Sequence, residues 1–369
     1  MFPTRPLRIA LLGIGKIGRE LVRRTLPYPH FTYVSISDTS GALLDPKGFS
    51  ERDLEEIITL KEDGGKLVKM EERHNYSESL EGVTDICDYD VLVDVTDAQT
   101  YPLLFKSLEM SHVVVSNKKP MADVPFSAFK ELISKSERLG RVLDFGVTVG
   151  GGMRALDLIG QLGAEGLERV EGCLSGTMNY LSQRINEGTP LSQSLNEAMG
   201  PPRYYTEPDP RVDLSGMDFA RKLTIIARLC GRSVEPNDIS VENVVSTELR
   251  HGSVKSFLEK LPSLDKEFAN KAEKARERNR MLWYIGSADL RRDEYQVGFR
   301  EVPFGDVFTG SRESDNVLKV YPRSWSRPVT VIGPGAGVPE TVTGIIAGLR
   351  KTYRPLSRAA ECARAHYKR

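Results

Sequence analysis

The sequence predicts an α/β protein of two domains, and three features of the chain support this fold class. Short apolar strands alternate with helical segments through the first 150 of the 369 residues, as in a parallel sheet covered by helices. A glycine-rich turn separates the first strand from the first helix, which is typical of a Rossmann-type domain. From residue 282 onward the chain becomes rich in strands again, which indicates a second, mostly antiparallel sheet.

The domain boundaries are placed where these patterns change. We expect a Rossmann-type domain over residues 1–150 and an α+β domain over 151–320, whose sheet is mostly antiparallel and covered by helices. The last segment, 321–369, carries a glycine-rich turn followed by a helix predicted over 339–350. We expect this segment to return to the first domain.

Hydrophobic periodicity assigns the individual elements. In the first domain it predicts strands at 7–12, 31–37, 91–95, 112–116 and 141–147, with helices at 16–26, 103–110 and 126–139. In the second it predicts helices at 153–162 and 214–230, a strand at 170–174, and strands at 283–285, 295–299, 317–321 and 329–332. The polar stretch 45–79 has weak periodicity and receives no assignment.

Composition excludes several classes of protein. Basic and acidic residues both number 51, so no net charge favours nucleic acid or an anionic membrane. The chain has no apolar run of about 18 residues and no secretory signal pattern, so we expect a cytoplasmic protein without a membrane span. The four cysteines are scattered without a CxxC pair, which argues against a disulfide framework and a zinc site.

The glycine-rich turn predicts a dinucleotide site. It consists of Gly13, Ile14, Gly15, Lys16, Ile17 and Gly18, directly between a strand and a helix. Gly13 suits the tight turn, Gly15 allows close approach of a pyrophosphate, and Gly18 allows close packing of helix on strand. The N–H groups and dipole at the start of the helix then bind phosphate.

The acid at the end of the second strand bears on the choice between NAD and NADP. Asp38 lies twenty residues beyond Gly18, where a carboxylate accepts hydrogen bonds from the ribose hydroxyls of NAD. The alternative is an ordinary turn residue in Asp38-Thr39-Ser40. Lys16 adds positive charge that suits the 2′-phosphate of NADP, so the preference stays open and leans to NAD.

A lysine is the candidate for proton transfer, because the five histidines form no recognisable constellation. Asp218 and Lys222 are spaced i, i+4 and share a helix face, which continues through the apolar residues Ile225, Ile226 and Leu229. A charged pair at the start of an apolar stripe is expected to be partly buried. A solvated surface ion pair remains an equal alternative from this pattern alone.

At these residues the chain resembles the homoserine dehydrogenases. The resemblance rests on Thr206-Glu207-Pro208-Asp209-Pro210 with Asp218 and Lys222, and on segments spread over most of the chain: Gly13–Gly18, Val93–Thr96, Asn117–Lys119, Thr148–Gly152, Ser175–Thr177, Ser314–Val317 and Gly335–Gly337. It implies NAD(P)-dependent interconversion of L-homoserine and L-aspartate 4-semialdehyde, in the route to threonine, methionine and isoleucine. It also implies a homodimer formed through the second domain.

The resemblance also assigns roles to individual residues. Lys222 would donate and accept the proton at the substrate oxygen, Asp218 would orient Lys222 and touch the substrate, and Lys118 would be the second lysine of the site. Glu207 would bind the substrate ammonium group, beside Gly176 and Thr177 in the substrate pocket. Cofactor contacts are implied for Thr96, Lys118 and Gly337.

Two positions depart from the family pattern. The carbonyl positions of a cation-binding loop are present at Val149, Gly151 and Met153, but Gly146 replaces its carboxylate, which puts a sodium site in doubt. Tyr204 replaces a glycine before the Tyr-Thr-Glu-Pro run, so it would narrow the site, alter cofactor binding or point outward.

Two other functions are weighed against this one. A semialdehyde dehydrogenase needs a nucleophilic cysteine beside a histidine; Cys173 lies near the expected site but has no histidine near it in sequence. A dinucleotide sensor that has lost turnover would explain Gly146 and Tyr204, yet would not need the proton-transfer residues. The chain is too short after Gly337 for an ACT domain, so threonine inhibition through such a domain is not expected.

Overall fold

The computed structural model describes residues 5–79 and 88–366, and it divides into two compact units. The first unit contains the chain up to Thr148 and again from Val338, and the second contains Val149–Gly337. Each unit is built on one sheet, which is mainly parallel in the first and mainly antiparallel in the second. The predicted fold class is confirmed.

The first sheet has seven strands in the order β4-β3-β2-β1-β5-β6-β7. These strands are β1 Leu7–Leu12, β2 Phe31–Asp38, β3 Gly41–Leu44, β4 Asn75–Ser77, β5 Val91–Asp94, β6 His112–Val115 and β7 Leu143–Asp144. The central strands β2, β1, β5, β6 and β7 run parallel, whereas β3 and β4 turn back as an antiparallel edge. The parallel part places the carboxyl ends of its strands at one edge, where dinucleotides bind in this fold.

Helices cover the first sheet and bury its apolar residues. They are α1 Lys16–Thr25, α2 Glu51–Glu62, α3 Tyr101–Ser107, α4 Lys119–Ala122 and α5 Phe126–Arg138. The core includes Ile9 and Leu11 from β1, Val93 from β5 and Leu21 from α1, all fully buried. These residues are the apolar positions that the strand and helix patterns identify.

The second sheet has six strands in the order β13-β12-β8-β10-β11-β9. The strands are β8 Leu167–Cys173, β9 Ser240–Val241, β10 Arg280–Asp289, β11 Glu294–Pro303, β12 Asp315–Pro322 and β13 Val329–Pro334. Its helices are α6 Ala155–Leu162, α7 Gly176–Asn186, α8 Leu191–Met199, α9 Arg211–Leu214, α10 Met217–Leu229, α11 Val254–Lys260 and α12 Asp265–Glu277. Trp283 and Val317 are fully buried members of one of its apolar clusters.

The chain returns to the first unit through the helix α13, Val338–His366. This return begins later than the boundary predicted at residue 321, because β12 and β13 pair with each other and complete the second sheet. α13 packs on α1, where Arg24 donates a hydrogen bond to Pro339 O at 2.9 Å. No helix in the described part of the chain has the length and apolarity that a bilayer span requires.

Several elements differ from the sequence predictions, and three of the differences have a local cause. α2 lies in the polar stretch that received no assignment, and its start is fixed by a capping box between Ser50 and Asp53. The strand predicted at 141–147 is short, because a 3-10 turn begins at Gly146. The helix predicted at 214–230 is interrupted before Met217, because Gly216 adopts a left-handed conformation with φ of 73°.

Candidate active site

The glycine-rich turn of the first unit has the geometry that its three glycines predict. Gly13 follows β1 with φ of 100°, and a Cβ added there would lie 3.1 Å from Thr96 Cγ2. A Cβ on Gly18 would lie 2.0 Å from Gly13 O, so only glycine lets α1 approach the turn this closely. Gly15 faces open space at the start of α1, where the helix N–H groups are available to a phosphate.

Asp38 ends β2, and both of its carboxylate oxygens are engaged. One accepts hydrogen bonds from Ser40 N at 2.7 Å and Ser40 Oγ at 2.6 Å, and the other lies 2.5 Å from Lys61 Nζ. Burial raises the pKa of Asp38, but the hydrogen bonds from Lys61 and Ser40 outweigh burial and lower it overall. Lys61 is not predicted from the sequence, because it lies on α2 within the stretch that has no assignment.

A buried carboxylate lies beneath the Thr96 turn. Asp94 ends β5, is fully buried, and accepts hydrogen bonds from Thr96 N (2.9 Å) and Oγ1 (2.7 Å), from Thr100 Oγ1 (2.5 Å) and from Asn117 Nδ2 (3.1 Å). Burial raises the pKa of Asp94, while these hydrogen bonds act in the opposite direction. Asp94 thus connects the Thr96 turn to Asn117 through hydrogen bonds. The next residue, Lys118, is the N-cap residue of α4.

The proton-transfer pair of the second unit lies on α10. Lys222 Nζ lies 2.9 Å from Asp218 Oδ2 and donates a hydrogen bond to Leu174 O at 2.6 Å. The Lys222 side chain is only 12% exposed, whereas that of Asp218 is 41% exposed. The ammonium group is therefore held in place from two sides, unlike that of a solvated surface pair.

A second cluster of this unit joins the predicted substrate residues through Asp213. The Thr177 hydroxyl lies 2.8 Å from Tyr205 O and 3.0 Å from Asp213 Oδ1, and Glu207 N donates to Asp213 Oδ2 at 2.9 Å. Burial raises the pKa of Asp213 to about 6, although the hydrogen bonds from Glu207 N and the Thr177 hydroxyl act to lower it. The sequence alone gives Asp213 no role, because only the fold brings the Thr177 hydroxyl to it.

Gly176 and Tyr204 complete this part of the site. A Cβ on Gly176 would lie 2.8 Å from Ser314 Cβ, so a glycine is needed where α7 begins. Tyr204 adopts a left-handed conformation with φ of 47°, which explains why a glycine suits this position. Its side chain is 67% exposed, so of the outcomes considered for Tyr204 the structure shows the outward one.

Gly337 and the carbonyl positions of the cation loop lie in turns of the second unit. Gly337 is exposed and precedes α13, and its φ of 124° is a conformation that favours glycine. In the loop of Val149, Gly151 and Met153, the Gly151 carbonyl already accepts a hydrogen bond from Arg154 N at 3.1 Å. No group of three or more candidate metal-ligating side chains occurs within residues 5–79 and 88–366.

Cys173 lacks the properties of a catalytic nucleophile. It is fully buried in the apolar cluster of the second sheet, and burial raises its pKa to about 12. A nucleophilic cysteine needs access to substrate and a lowered pKa. The structure therefore argues against the semialdehyde dehydrogenase alternative.

Comparisons with known proteins identify the family of this chain. Residues 156–349, which include Lys222, match the family model described as homoserine dehydrogenase. Residues 4–96 match the model described as glutamate/leucine/phenylalanine/valine dehydrogenase. The chain is 29% identical to a homoserine dehydrogenase of Emericella nidulans, over 96% of this chain and 100% of the relative. It is 31% identical to that of Saccharomyces cerevisiae, over 66% and 69% of the two chains.

Solved structures of homoserine dehydrogenases have a similar fold. A putative homoserine dehydrogenase of Archaeoglobus fulgidus superimposes with a TM-score of 0.76 at 26% identity, covering 94% of this chain and 99% of the other. A hyperthermophilic archaeal homoserine dehydrogenase in complex with NADPH superimposes with a TM-score of 0.70 at 19% identity, covering 94% and 97%. The family model and the sequence relatives confirm the family predicted from the sequence. The chain belongs to the homoserine dehydrogenase family.

Proposed function

We propose that this chain is an oxidoreductase that interconverts L-homoserine and L-aspartate 4-semialdehyde with a nicotinamide dinucleotide. The observation that carries the proposal is the position of Lys222, which Asp218 and Leu174 O fix within the segment that matches the family. Oxidation of an alcohol needs a group that accepts the hydroxyl proton. Lys222 is the residue that we assign to this task.

A bound nicotinamide dinucleotide would supply the hydride acceptor for the carbon that bears the hydroxyl. The hydroxyl proton passes to the Lys222 amine, which becomes an ammonium ion, and the oxygen becomes the carbonyl oxygen of the semialdehyde. Asp218 stabilises that ammonium through the contact of 2.9 Å. Lys118, in the first unit, is proposed to contact the cofactor, by resemblance to the family.

Substrate selection is assigned to the cluster around Asp213. The Glu207 carboxylate is proposed to bind the substrate ammonium group, and it is exposed at the protein surface. Asp213 holds the Glu207 backbone and the Thr177 hydroxyl in one arrangement. A site fixed in this way does not have to be ordered when substrate binds, which favours affinity.

The test of this function is an NAD(P)H absorbance assay with L-homoserine as substrate. We expect turnover with L-homoserine and reversal with L-aspartate 4-semialdehyde. A non-catalytic dinucleotide sensor would bind NAD(H) and leave both substrates unchanged. That result would reject the proposed enzyme and favour the sensor.

We propose a preference for NAD over NADP, because an ionised Asp38 repels a 2′-phosphate and accepts hydrogen bonds from ribose hydroxyls. Asp38→Ala removes the carboxylate and leaves Lys61 to bind the 2′-phosphate. The ratio of kcat/KM for NADP to that for NAD is expected to rise by about 10- to 100-fold, the effect of one or two charge-assisted hydrogen bonds. Initial rates with both cofactors measure this ratio.

The double variant Asp38→Ala/Lys61→Ala is the control for this cofactor effect. This variant lacks the cation that would bind the phosphate. Its ratio of kcat/KM for NADP to that for NAD should therefore rise less than the ratio of Asp38→Ala. An unmodified protein that already prefers NADP strongly would contradict the role given to Asp38.

The cation loop does not fit a sodium site well. Gly146 supplies no carboxylate, and Asp144, the nearest acid before it, lies 2.7 Å from Lys351 Nζ, which compensates its charge. We therefore give the cation no part in the reaction. A homodimer through the second domain is proposed from family resemblance alone.

A further inference from the structure

The helix α10, which carries Asp218 and Lys222, is in close contact with the strand β10 of the second sheet. Phe219 follows Asp218 on this helix, is 2% exposed, and packs its ring over Gly286 of β10. A Cβ added to Gly286 would lie 2.7 Å from Phe219 Cε2 and 3.0 Å from its Cζ. Carbon atoms in contact are normally about 3.5–4.0 Å apart. Only a glycine at position 286 therefore leaves room for the ring.

The backbone of Gly286 does not itself require a glycine. The residue lies within β10 and does not have a left-handed φ. It pairs with Gly172 of β8 on one side and with Val297 of β11 on the other. A glycine within a strand often marks a place where another element approaches closely. The absence of a side chain is thus the property that this position supplies to α10.

A second glycine lies at the start of α10. Gly216 precedes the helix with φ of 73°, and a Cβ there would overlap the Tyr284 hydroxyl. Tyr284 is fully buried, and its hydroxyl donates to Glu242 O at 3.0 Å. The Phe219 and Tyr284 rings are neighbours, with centroids 6.1 Å apart. Because both side chains are buried in a close-packed interior, the Phe219 ring has little room to rotate away from Gly286.

The same side of α10 brings Lys222 to the end of β8. Phe219 and Lys222 are spaced i, i+3, so they lie on one face of the helix. Lys222 Nζ donates to Leu174 O at 2.6 Å. Leu174 lies two residues beyond Gly172, which is the partner of Gly286 across the strands. The Phe219 contact and the Lys222 contact therefore involve neighbouring strands of one sheet, and all these residues belong to the second unit.

The two contacts are coupled through the helix. One turn of a helix moves as a unit, so the height of Phe219 above β10 also sets the position of Lys222. An alanine at position 286 would require the ring to move away by about 1 Å to reach a normal contact distance. Asp218 would move with Lys222, because both lie on α10, whereas Leu174 O stays on the sheet. A displacement of about 1 Å at a reacting group can lower the rate by about 100-fold.

We propose that Gly286 and Phe219 are positioning residues, which set the distance between the Lys222 ammonium and Leu174 O by fixing α10 on the sheet. The inference rests on the proposed function, because it concerns the residue assigned to proton transfer. Neither Gly286 nor Phe219 is assigned a contact with substrate. Their effect on the reaction passes through Lys222.

The test is Gly286→Ala in the full chain, with kcat and KM measured in the homoserine assay below the Tm of each variant. We expect kcat to fall about 10- to 100-fold, because Lys222 is displaced. The KM for NAD should stay unchanged, because the glycine-rich turn belongs to the other unit. Adding Phe219→Leu should restore most of the kcat, because leucine lacks the Cε2 and Cζ atoms that the new methyl group would meet.

Gly298→Ala is the matched control, because it adds the same methyl group to the neighbouring strand β11. A Cβ on Gly298 would lie 2.7 Å from Glu242 Cβ, so the steric conflict is equally close but involves a residue outside α10. The Glu242 side chain is 34% exposed and can turn toward solvent. The kcat of this variant should therefore equal that of the unmodified protein.

The Lys222→Ala background separates a positioning role from a purely structural one. If Gly286 acts through Lys222, Gly286→Ala lowers kcat in the unmodified protein but not in the Lys222→Ala protein. A substitution that only weakens the fold would lower kcat by the same factor in both proteins.

Three results would overturn the inference: a folded Gly286→Ala protein with the kcat of Gly298→Ala, an equal loss in the Lys222→Ala background, or a folded double variant without restored kcat. If Gly286→Ala alone does not fold, the double variant is compared with Phe219→Leu. Equal kcat of these two proteins supports the inference, and a lower kcat of the double variant overturns it.

Failure of this inference is distinguishable from failure of the proposed function. If the unmodified protein turns over homoserine, the proposed function stands and only the role of Gly286 and Phe219 is rejected by the results above. An unmodified protein without turnover would reject the proposed function and this inference with it.

Discussion

Replacing Lys222 with alanine is expected to lower kcat for homoserine oxidation by about 10²- to 10⁴-fold, the usual contribution of a general acid–base group. The lysine is the group held 2.9 Å from Asp218 and 2.6 Å from Leu174 O, so its removal leaves the substrate hydroxyl without a placed acceptor. The KM for NAD should change little, because the glycine-rich turn belongs to the other unit. Stopped-time absorbance assays at saturating substrate measure the effect.

The matched control for this variant is Lys255→Ala, which removes an exposed lysine on α11 of the same unit. Its kcat should equal that of the unmodified protein. Circular dichroism and the Tm show whether Lys222→Ala keeps its fold. If a folded Lys222→Ala protein retains near-normal turnover, Lys222 has no part in proton transfer.

Replacing Asp94 with alanine is expected to lower the free energy of unfolding by about 3 kcal/mol, because several buried donors lose their acceptor at once. Those donors are the Thr96 backbone and hydroxyl, the Thr100 hydroxyl and the Asn117 amide. NADH affinity should fall as well, since Thr96 adjoins Gly13 and Asn117 precedes Lys118. Urea denaturation and fluorescence titration with NADH measure the two effects.

Asp97→Ala provides the comparison for Asp94. Asp97 is 91% exposed and lies 3.1 Å from Lys119 Nζ. Its removal should therefore lower the free energy of unfolding by less than about 1 kcal/mol. Asp94→Asn keeps an acceptor of the same shape. Its free energy of unfolding should lie between those of the Asp94→Ala and Asp97→Ala proteins. Equal stability of the Asp94→Ala and Asp97→Ala proteins would mean that the buried network does not hold the Thr96 turn.

The sequence predicted those elements whose signal is local. β1 was predicted at its observed bounds and α1 to within one residue, because an apolar run, a glycine turn and helical spacing follow one another directly. α2 was missed although Ser50 and Asp53 carry a capping signal, since its charged residues obscure the apolar stripe. A single glycine with left-handed φ at position 216 divided a helix that periodicity predicted as continuous.

Local patterns in the sequence predict the chemistry of this protein: a glycine turn for phosphates, an i, i+4 pair of Asp218 and Lys222, and an acid after the second strand. The partners of these groups are known only from the fold, which brings Lys61 beside Asp38 and Asp213 between Thr177 and Glu207. The difference comes from distance along the chain. Helical and strand spacing follow from neighbouring residues, whereas partners brought together by strand pairing and helix packing come from distant parts of the chain.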